Sequence, residues 1–227
     1  MAIYDNPKIV TDGLILCLDA GNRKSYPGSG TAWSDLSGRG NNGTLTNGPL
    51  FDSDRGGCID LDGTNDYVNL PASSELTTLN GNDVTICSWF YLRGGGLLFA
   101  TAISSPLSTL VHGIYPTQQV INVYPPSGGA AESGLTSPTD TWSFYAVSAI
   151  AGVNATFYQN LNTQTAAHTE IYTGGTPTTV TIGARSLSGA TDQHISGKLA
   201  VFSVYNRALS AAEIQQNFNA TRKRFGI

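Results

Sequence analysis

Asp60 and Asp62 stand at alternate positions of a short apolar run, so in a strand both carboxyls would face the same way. That is the arrangement closest to catalysis in this chain. Glycoside hydrolysis needs two carboxyl groups flanking the scissile bond, about 5–9 Å apart, one of them able to give up a proton. No third acid follows on that run, and Asp62 is followed by Gly63, which marks it as a turn aspartate that bonds backbone amides. Catalytic residues are therefore not expected. Calcium would need hard oxygen ligands, and Asp35, Asp62 and Asp66 with nearby loop carbonyls could supply them. The run Asp60-x-Asp62-Gly63-x-x-Asp66 does not have EF-hand spacing. His112, His168 and His194 are scattered, without the i, i+4 pair of a zinc helix, and no Gly-x-Ser-x-Gly nucleophile elbow occurs. Neither a metal nor a cofactor is expected.

Saccharide binding asks for exposed aromatic faces with amide and hydroxyl groups beside them. Tyr26 and Trp33 lie in a long polar stretch, and Tyr115 and Tyr124 end two apolar runs next to Pro116, Pro125 and Pro126. These four are the candidate glycan-stacking residues, whereas Trp89 and Trp142 sit inside apolar runs and read as core. Arg222, Lys223 and Arg224 form a basic cluster at the chain end that could dock on an acidic partner surface.

The elements that would position these groups are strands. The chain has 227 residues, charged residues make up only 12%, and 26 residues are glycine. Thr, Ser and Asn are also abundant, a mix that disfavours helices and favours strands joined by tight turns. A net charge of −4 argues against a general nucleic-acid binder. Apolar runs predict strands at 13–19, 58–62, 67–70, 84–92, 97–102, 110–115, 120–124, 178–182 and 196–205. A hairpin is expected over 141–150 and 154–159, and Asn42-Gly43 and Asn47-Gly48 bracket a short strand at 44–46. Within 84–92, Val84, Ile86 and Phe90 share one face, and Thr85, Cys87, Trp89 and Tyr91 the other. Such a count at this length reads as an all-β, two-sheet antiparallel sandwich or jelly roll. One helix is signalled: Ser210-Ala211-Ala212-Glu213 is a capping box, with Ile214 and Phe218 on a common face over 211–219.

Cys17, Cys58 and Cys87 are an odd set without a C-x-x-C pair, in strand-like contexts, and read as buried free thiols. No run of 18 apolar residues occurs, so no membrane contact is expected. The N-terminus, Met-Ala-Ile-Tyr-Asp-Asn-Pro-Lys, lacks a charged region followed by an apolar one, so export by a cleaved signal is not expected either.

Four stretches, in order, resemble laminin-G-like domains of the concanavalin A-like lectin/glucanase superfamily. They are Asp35-Leu36-Ser37-Gly38-Arg39-Gly40-Asn41-Asn42-Gly43-Thr44, Leu61-Asp62-Gly63-Thr64-Asn65-Asp66-Tyr67-Val68, the pair Thr141-Trp142 with Phe157-Tyr158-Gln159-Asn160, and Val204-Tyr205-Asn206-Arg207-Ala208-Leu209-Ser210-Ala211-Ala212-Glu213-Ile214. The resemblance implies a concanavalin A-like sandwich over 13–219, preceded by an N-terminal arm at 1–12 and followed by a basic tail at 220–227. Many such domains hold calcium through an acid in the strand before the last helix; here that strand reads Lys198-Leu199-Ala200-Val201, without one. Leu18-Asp19-Ala20-Gly21-Asn22 and Phe225-Gly226-Ile227 look most like domains in structural proteins of bacteriophages. That implies a non-enzymatic virion surface protein, a capsid decoration or fibre component, assembled in the host cytoplasm where free thiols persist. Its expected partners are the major capsid or other virion proteins, copies of itself and a host-surface glycan. The alternatives are a stand-alone carbohydrate-binding module and, behind it, a glycoside hydrolase.

Overall fold

The run from Val84 to Gly94 is the chain's clearest two-residue alternation, and it lies in the middle of a sheet with core on both sides. In the computed structural model, which describes residues 8–79, 81–104, 107–124, 131–168, 176–187 and 190–227, two eight-stranded antiparallel sheets face one another. The first runs Asn162–His168, Val153–Gln159, Trp142–Ile150, Val84–Gly94, Ser196–Tyr205, Cys58–Asp62, Leu50–Asp52. Leu14–Asp19 pairs with the C-terminal half of Ser196–Tyr205. The second runs Ala131–Glu132, Gln118–Tyr124, Leu107–Tyr115, Gly96–Ser104, Thr179–Ile182, Tyr67–Leu70, Gly43–Thr46, Ala32–Trp33. A small ribbon, Arg185–Leu187 with Ala190–Asp192, forms a sheet of its own against the second sheet, where the Thr179 hydroxyl donates to the Ser186 carbonyl at 2.7 Å.

The alternation sorts the side chains as expected. Val84, Ile86, Phe90 and Leu92 enter the core between the sheets, joined by Ile15, Ile59, Leu61, Phe99, Tyr145, Phe157 and Phe202. Cys87 and Trp89 point the other way, into a second core on the outer face of the first sheet. The helix Ala211–Thr221 covers that face with Ile214 and Phe218. Its start is the expected capping box: the Ser210 hydroxyl accepts from the Glu213 amide at 3.4 Å, and the Glu213 carboxylate accepts from the Ser210 amide at 2.9 Å.

The chain ends belong to this second core. Asn217, itself buried, accepts the Val10 amide at 2.8 Å, while the Tyr205 hydroxyl donates to the Val10 carbonyl at 3.0 Å. Residues 8–12 of the expected arm are thus pinned to the domain; residues 1–7 lie outside the described residues. Beyond the helix, Arg222–Phe225 form a 3-10 turn that buries Phe225. Its ring stacks on Trp89 at 4.0 Å and 9° and lies 5.2 Å from Trp142. The basic tail expected at 220–227 therefore packs onto the domain: an aromatic ring two residues from the end has more to gain from the core than the turn loses by ordering.

Cys17, Cys58 and Cys87 are free and buried, as expected. Cys17 pairs with Ser203 and Ser203 with Cys87, so the first and last thiols stand two strands apart, about 10 Å and beyond disulfide reach. Gly197 enables the bend of the strand Ser196–Tyr205: it has φ 155° beside a register shift, and a side chain there would strike the Tyr91 carbonyl and the Phe90 ring.

Candidate binding cleft

Cys58–Asp62 sends Ile59 and Leu61 into the inter-sheet core, which turns Asp60 and Asp62 together onto the outer face. The alternation read from the sequence is real, but both carboxyls are engaged. Asp60 meets the Arg93 guanidinium in a two-pronged ion pair, and Arg93 also donates to the Leu61 carbonyl at 2.9 Å. Arg93 reaches Asp60 because their two strands flank Ser196–Tyr205, where Lys198 registers with both Asp60 and Tyr91. Lys198 in turn binds Asp52 at 2.6 Å.

Asp62 closes the turn into the next strand. One of its oxygens accepts from the amides of Thr64 at 2.7 Å, Asn65 at 3.3 Å and Asp66 at 3.4 Å. These bonds, led by the Thr64 amide, hold its carboxyl below the usual carboxylate range. Asp66 is buried, and burial pushes its carboxyl up, with the charges of Asp62 and Asp60 adding to the rise and the Asp62 amide, which it accepts at 3.2 Å, opposing it. The group that would hold a proton is thus the enclosed one, and the exposed Asp62 stays ionised. Of the alternate pair read from the sequence, Asp62 is thus held charged and does not offer the proton that a general acid gives up.

Around these groups opens a cleft of about 580 Å³ lined by Asn47, Gly48, Leu50, Asp60, Asp62, Asp66, Arg93 and Ser196. Leu50 is 71% exposed and forms an apolar shelf beside the charged groups. Carboxylate acceptors, guanidinium, amide and hydroxyl groups next to an apolar shelf suit a polyol, with its many hydroxyls and its C–H face. Asn47, Leu50, Arg93 and Ser196 were not singled out from the sequence. They come from three separate segments, at 47–50, 93 and 196, and no local spacing connects these to one another or to Asp60.

The aromatic candidates fare differently. Tyr26 and Trp33 are 3% and 0% exposed, and their assignment as glycan-stacking residues is corrected. Trp33 pairs into the second sheet, Tyr26 lies edge-on to it at 6.4 Å, and the Tyr26 hydroxyl is spent on the Gly30 carbonyl at 2.7 Å. The polar stretch folds back over the sandwich and buries its own aromatic rings. Tyr115 is half-buried, its ring packed where Gly95 and Gly113 lack side chains, and it does not line the cleft. The side chain of Tyr124 lies outside the described residues. Trp89 and Trp142 are core residues, as expected.

In the basic cluster, Arg224 is committed inward. It binds Asp19 at 2.6 Å and donates to the carbonyls of Arg55 and Gly57, which corrects its assignment as a docking residue. The burial of Phe225 beside it fixes this direction. Arg222 donates to the Ile227 carbonyl at 3.1 Å and lies over the Phe218 ring, and Lys223 is exposed.

Asp35 organises its own loop, accepting from the amides of Cys17, Ser37 and Asn41 at 2.8, 2.9 and 3.1 Å, and is not part of the cleft. His112 and His168 are buried in strands, and the His194 ring lies 3.4 Å from the Asp66 carbonyl. Among the described residues no group of three or more His, Cys, Asp or Glu side chains is arranged to hold a metal, and no helix is long and apolar enough to cross a membrane.

The architecture has close counterparts among solved structures. The binding domain of botulinum neurotoxin serotype D/C superimposes with a TM-score of 0.72 at 13% identity, over 93% of this chain and 53% of that one. The binding domain of Paraclostridial Mosquitocidal Protein 1 gives 0.69 at 14%, over 92% and 52%. Trypanosoma rangeli sialidase, in complex with sialic acid, gives 0.66 at 14%, over 93% and 33%. The chain thus spans about half the length of the toxin domains and a third of the sialidase, and at such identities the likeness is one of fold. No curated protein sequence matches it. A laminin-G-like family model, described as the Concanavalin A-like lectin/glucanases superfamily, matches residues 62–215, from the cleft aspartate to the C-terminal helix. The chain belongs to the concanavalin A-like lectin/glucanase superfamily.

Proposed function

We propose that this protein is a non-enzymatic, lectin-like module that takes saccharide hydroxyls in the cleft around Asp60, Asp62 and Arg93. The observation that carries this reading is the cleft itself. Its charged groups are held ready by one another and by backbone amides, beside an exposed leucine, so a sugar meets fixed partners at little ordering cost. Asp60 is spent on Arg93 and one oxygen of Asp62 on three backbone amides, which argues against hydrolysis by this pair. Related folds support the ligand class: the binding domain of botulinum neurotoxin DC is known in complex with SialylT, and cell entry of type C depends on two ganglioside molecules. A glycan array on the purified protein, followed by calorimetry on any hit, tests the reading. Arg93→Ala is expected to weaken binding about tenfold or more. Silence across the array, or binding unchanged in Arg93→Ala, would overturn it. Release of sugar from a glycan panel would restore the hydrolase alternative.

We further propose that the module works on the surface of a bacteriophage particle, with Arg222 and Lys223 on its partner-facing side. The similarity of residues 18–22 and 225–227 to phage structural domains supports this setting, as do three reduced, buried thiols. Peptide mass spectrometry on density-banded particles tests it, and absence of the chain from those particles would sink it.

A further inference from the structure

The charges that line the cleft do not balance. Among the described lining residues Arg93 is the one cation, against Asp60, Asp62 and Asp66. Its guanidinium is taken up by both oxygens of Asp60 and by the Leu61 carbonyl. Lys198, the next cation along the outer face, is taken up by Asp52. The His194 ring near the Asp66 carbonyl is not part of the lining. Among the described residues no cation lies within ion-pair distance of Asp62 or Asp66.

Both carboxyls have acceptor capacity left. The three turn amides share Oδ1 of Asp62, whose side chain is exposed. Asp66 is the stronger sign. Only 5% of it is exposed, and its Oδ2 accepts the Asp62 amide. Its Oδ1 has no hydrogen-bond partner among the described residues, although the side chain lines the cleft. A carboxylate oxygen so enclosed is costly to leave unpaired. Burial and the neighbouring charges of Asp62 and Asp60 push the Asp66 carboxyl up, and a cation in the cleft would offset both effects.

Within a saccharide, such a cation is an amine. We propose, resting on the saccharide reading of this cleft, that its ligand is an amino sugar with a free amine, a hexosamine unit without its acetyl group, whose ammonium sits against Asp62 and Asp66. The ammonium brings three donors to oxygens that have no cation of their own. The C–H face of the same sugar meets the exposed Leu50. An N-acetylated sugar keeps the hydroxyls and loses the charge. An acidic sugar brings a carboxylate against two that are unpaired, and such a like-charge contact rejects a ligand outright. The cleft thus discriminates among sugars by the sign of their charge.

Calorimetry on the full chain with matched probes is the test. They are a chitin oligomer with a single deacetylated residue, the same oligomer fully acetylated, and a sialylated oligosaccharide. The pH keeps the amine protonated, and chelator is present so that no divalent cation bridges the carboxylates. A charge-assisted hydrogen bond exceeds a neutral one by enough for the amine oligomer to bind about tenfold more tightly than its acetylated twin. That ratio should shrink as salt is raised, a measurement that needs no variant. The sialylated probe should bind more weakly than either. Asp62→Asn keeps the oxygen that accepts the turn amides and removes the charge, and is expected to bring the two oligomers to near-equal affinity. Arg93→Ala frees Asp60 and is expected to widen the ratio. Equal affinity for the two oligomers in the wild type, or tighter binding of the acetylated one, overturns the inference and leaves the saccharide reading standing. A preference that survives both Asp62→Asn and Asp66→Asn overturns the seat of the amine in this cleft. Silence toward all three probes also overturns the inference, and the glycan array then decides the saccharide reading separately.

Discussion

Replacing Phe225 with alanine removes the ring that closes the outer core. That ring is 3% exposed, lies nearly parallel to Trp89 at 4.0 Å and contacts Trp142 at 5.2 Å. Deleting a buried phenylalanine costs about 3–5 kcal/mol, including the cavity it leaves. The site is a terminal turn that can partly collapse, which places this case near the lower end, at about 3 kcal/mol. For a chain of this size each kcal/mol lowers the melting temperature by about 2–4 °C, so the expected fall is about 6–12 °C. Urea unfolding followed by far-ultraviolet circular dichroism gives the free energy. Native tryptophan emission should shift to the red as Trp89 and Trp142 lose their cover. The helix and both sheets remain, so the folded dichroism spectrum should be unchanged. A loss below about 0.5 kcal/mol, the range of an ordinary surface substitution, with unshifted emission would mean that the last six residues are solvated and that the second core ends at Phe218.

Three further outcomes are expected. Ser210→Ala removes the acceptor for the Glu213 amide and should cost about 1 kcal/mol in urea unfolding; no change would show that the Arg207–Glu213 pair alone holds the helix start. Burial pushes the His112 imidazole down to about 4, with the Gln119 side chain acting the other way. Because the folded state resists protonation, the contribution of His112 is fully present above the unfolded value of about 6.5 and falls as pH drops from there toward about 4, by up to about 1.4 kcal/mol per pH unit. His112→Leu should flatten that part of the stability curve, and an equal slope in wild type and variant would refute the assignment. Burial also pushes the thiols of Cys17, Cys58 and Cys87 up to about 12, so a thiol reagent should label none of them in the native protein and all three in denaturant. Rapid labelling under native conditions would place a thiol at the surface.

Where a signal is local and periodic, sequence and structure agree. The two faces of 84–92, the capping box at Ser210 and the buried thiols could all be read because strand and helix geometry tie neighbouring residues to definite faces. The edge strand Asn162–His168 carries no such signal. Most of its side chains are exposed, so selection for burial leaves no apolar alternation, and only pairing with Val153–Gln159 makes it a strand. Asp60 and Asp62 were legible as a same-face pair, but their state was not. Arg93 is 33 residues from Asp60 and reaches it only through two strands flanking a third.

By itself, then, the amino-acid sequence determined an all-β chain with one capped helix, free cysteines and an aspartate pair on one strand face. Each of these follows from spacing within a few residues and from composition. Tertiary structure alone decided that Tyr26 and Trp33 go inside, that Arg224 turns inward with Phe225, and that Asn47, Leu50, Arg93 and Ser196 gather around Asp60 and Asp62. Those outcomes depend on which distant segments share the limited apolar surface of two sheets, and a residue's polar neighbours in sequence say nothing about which ring will reach that surface first.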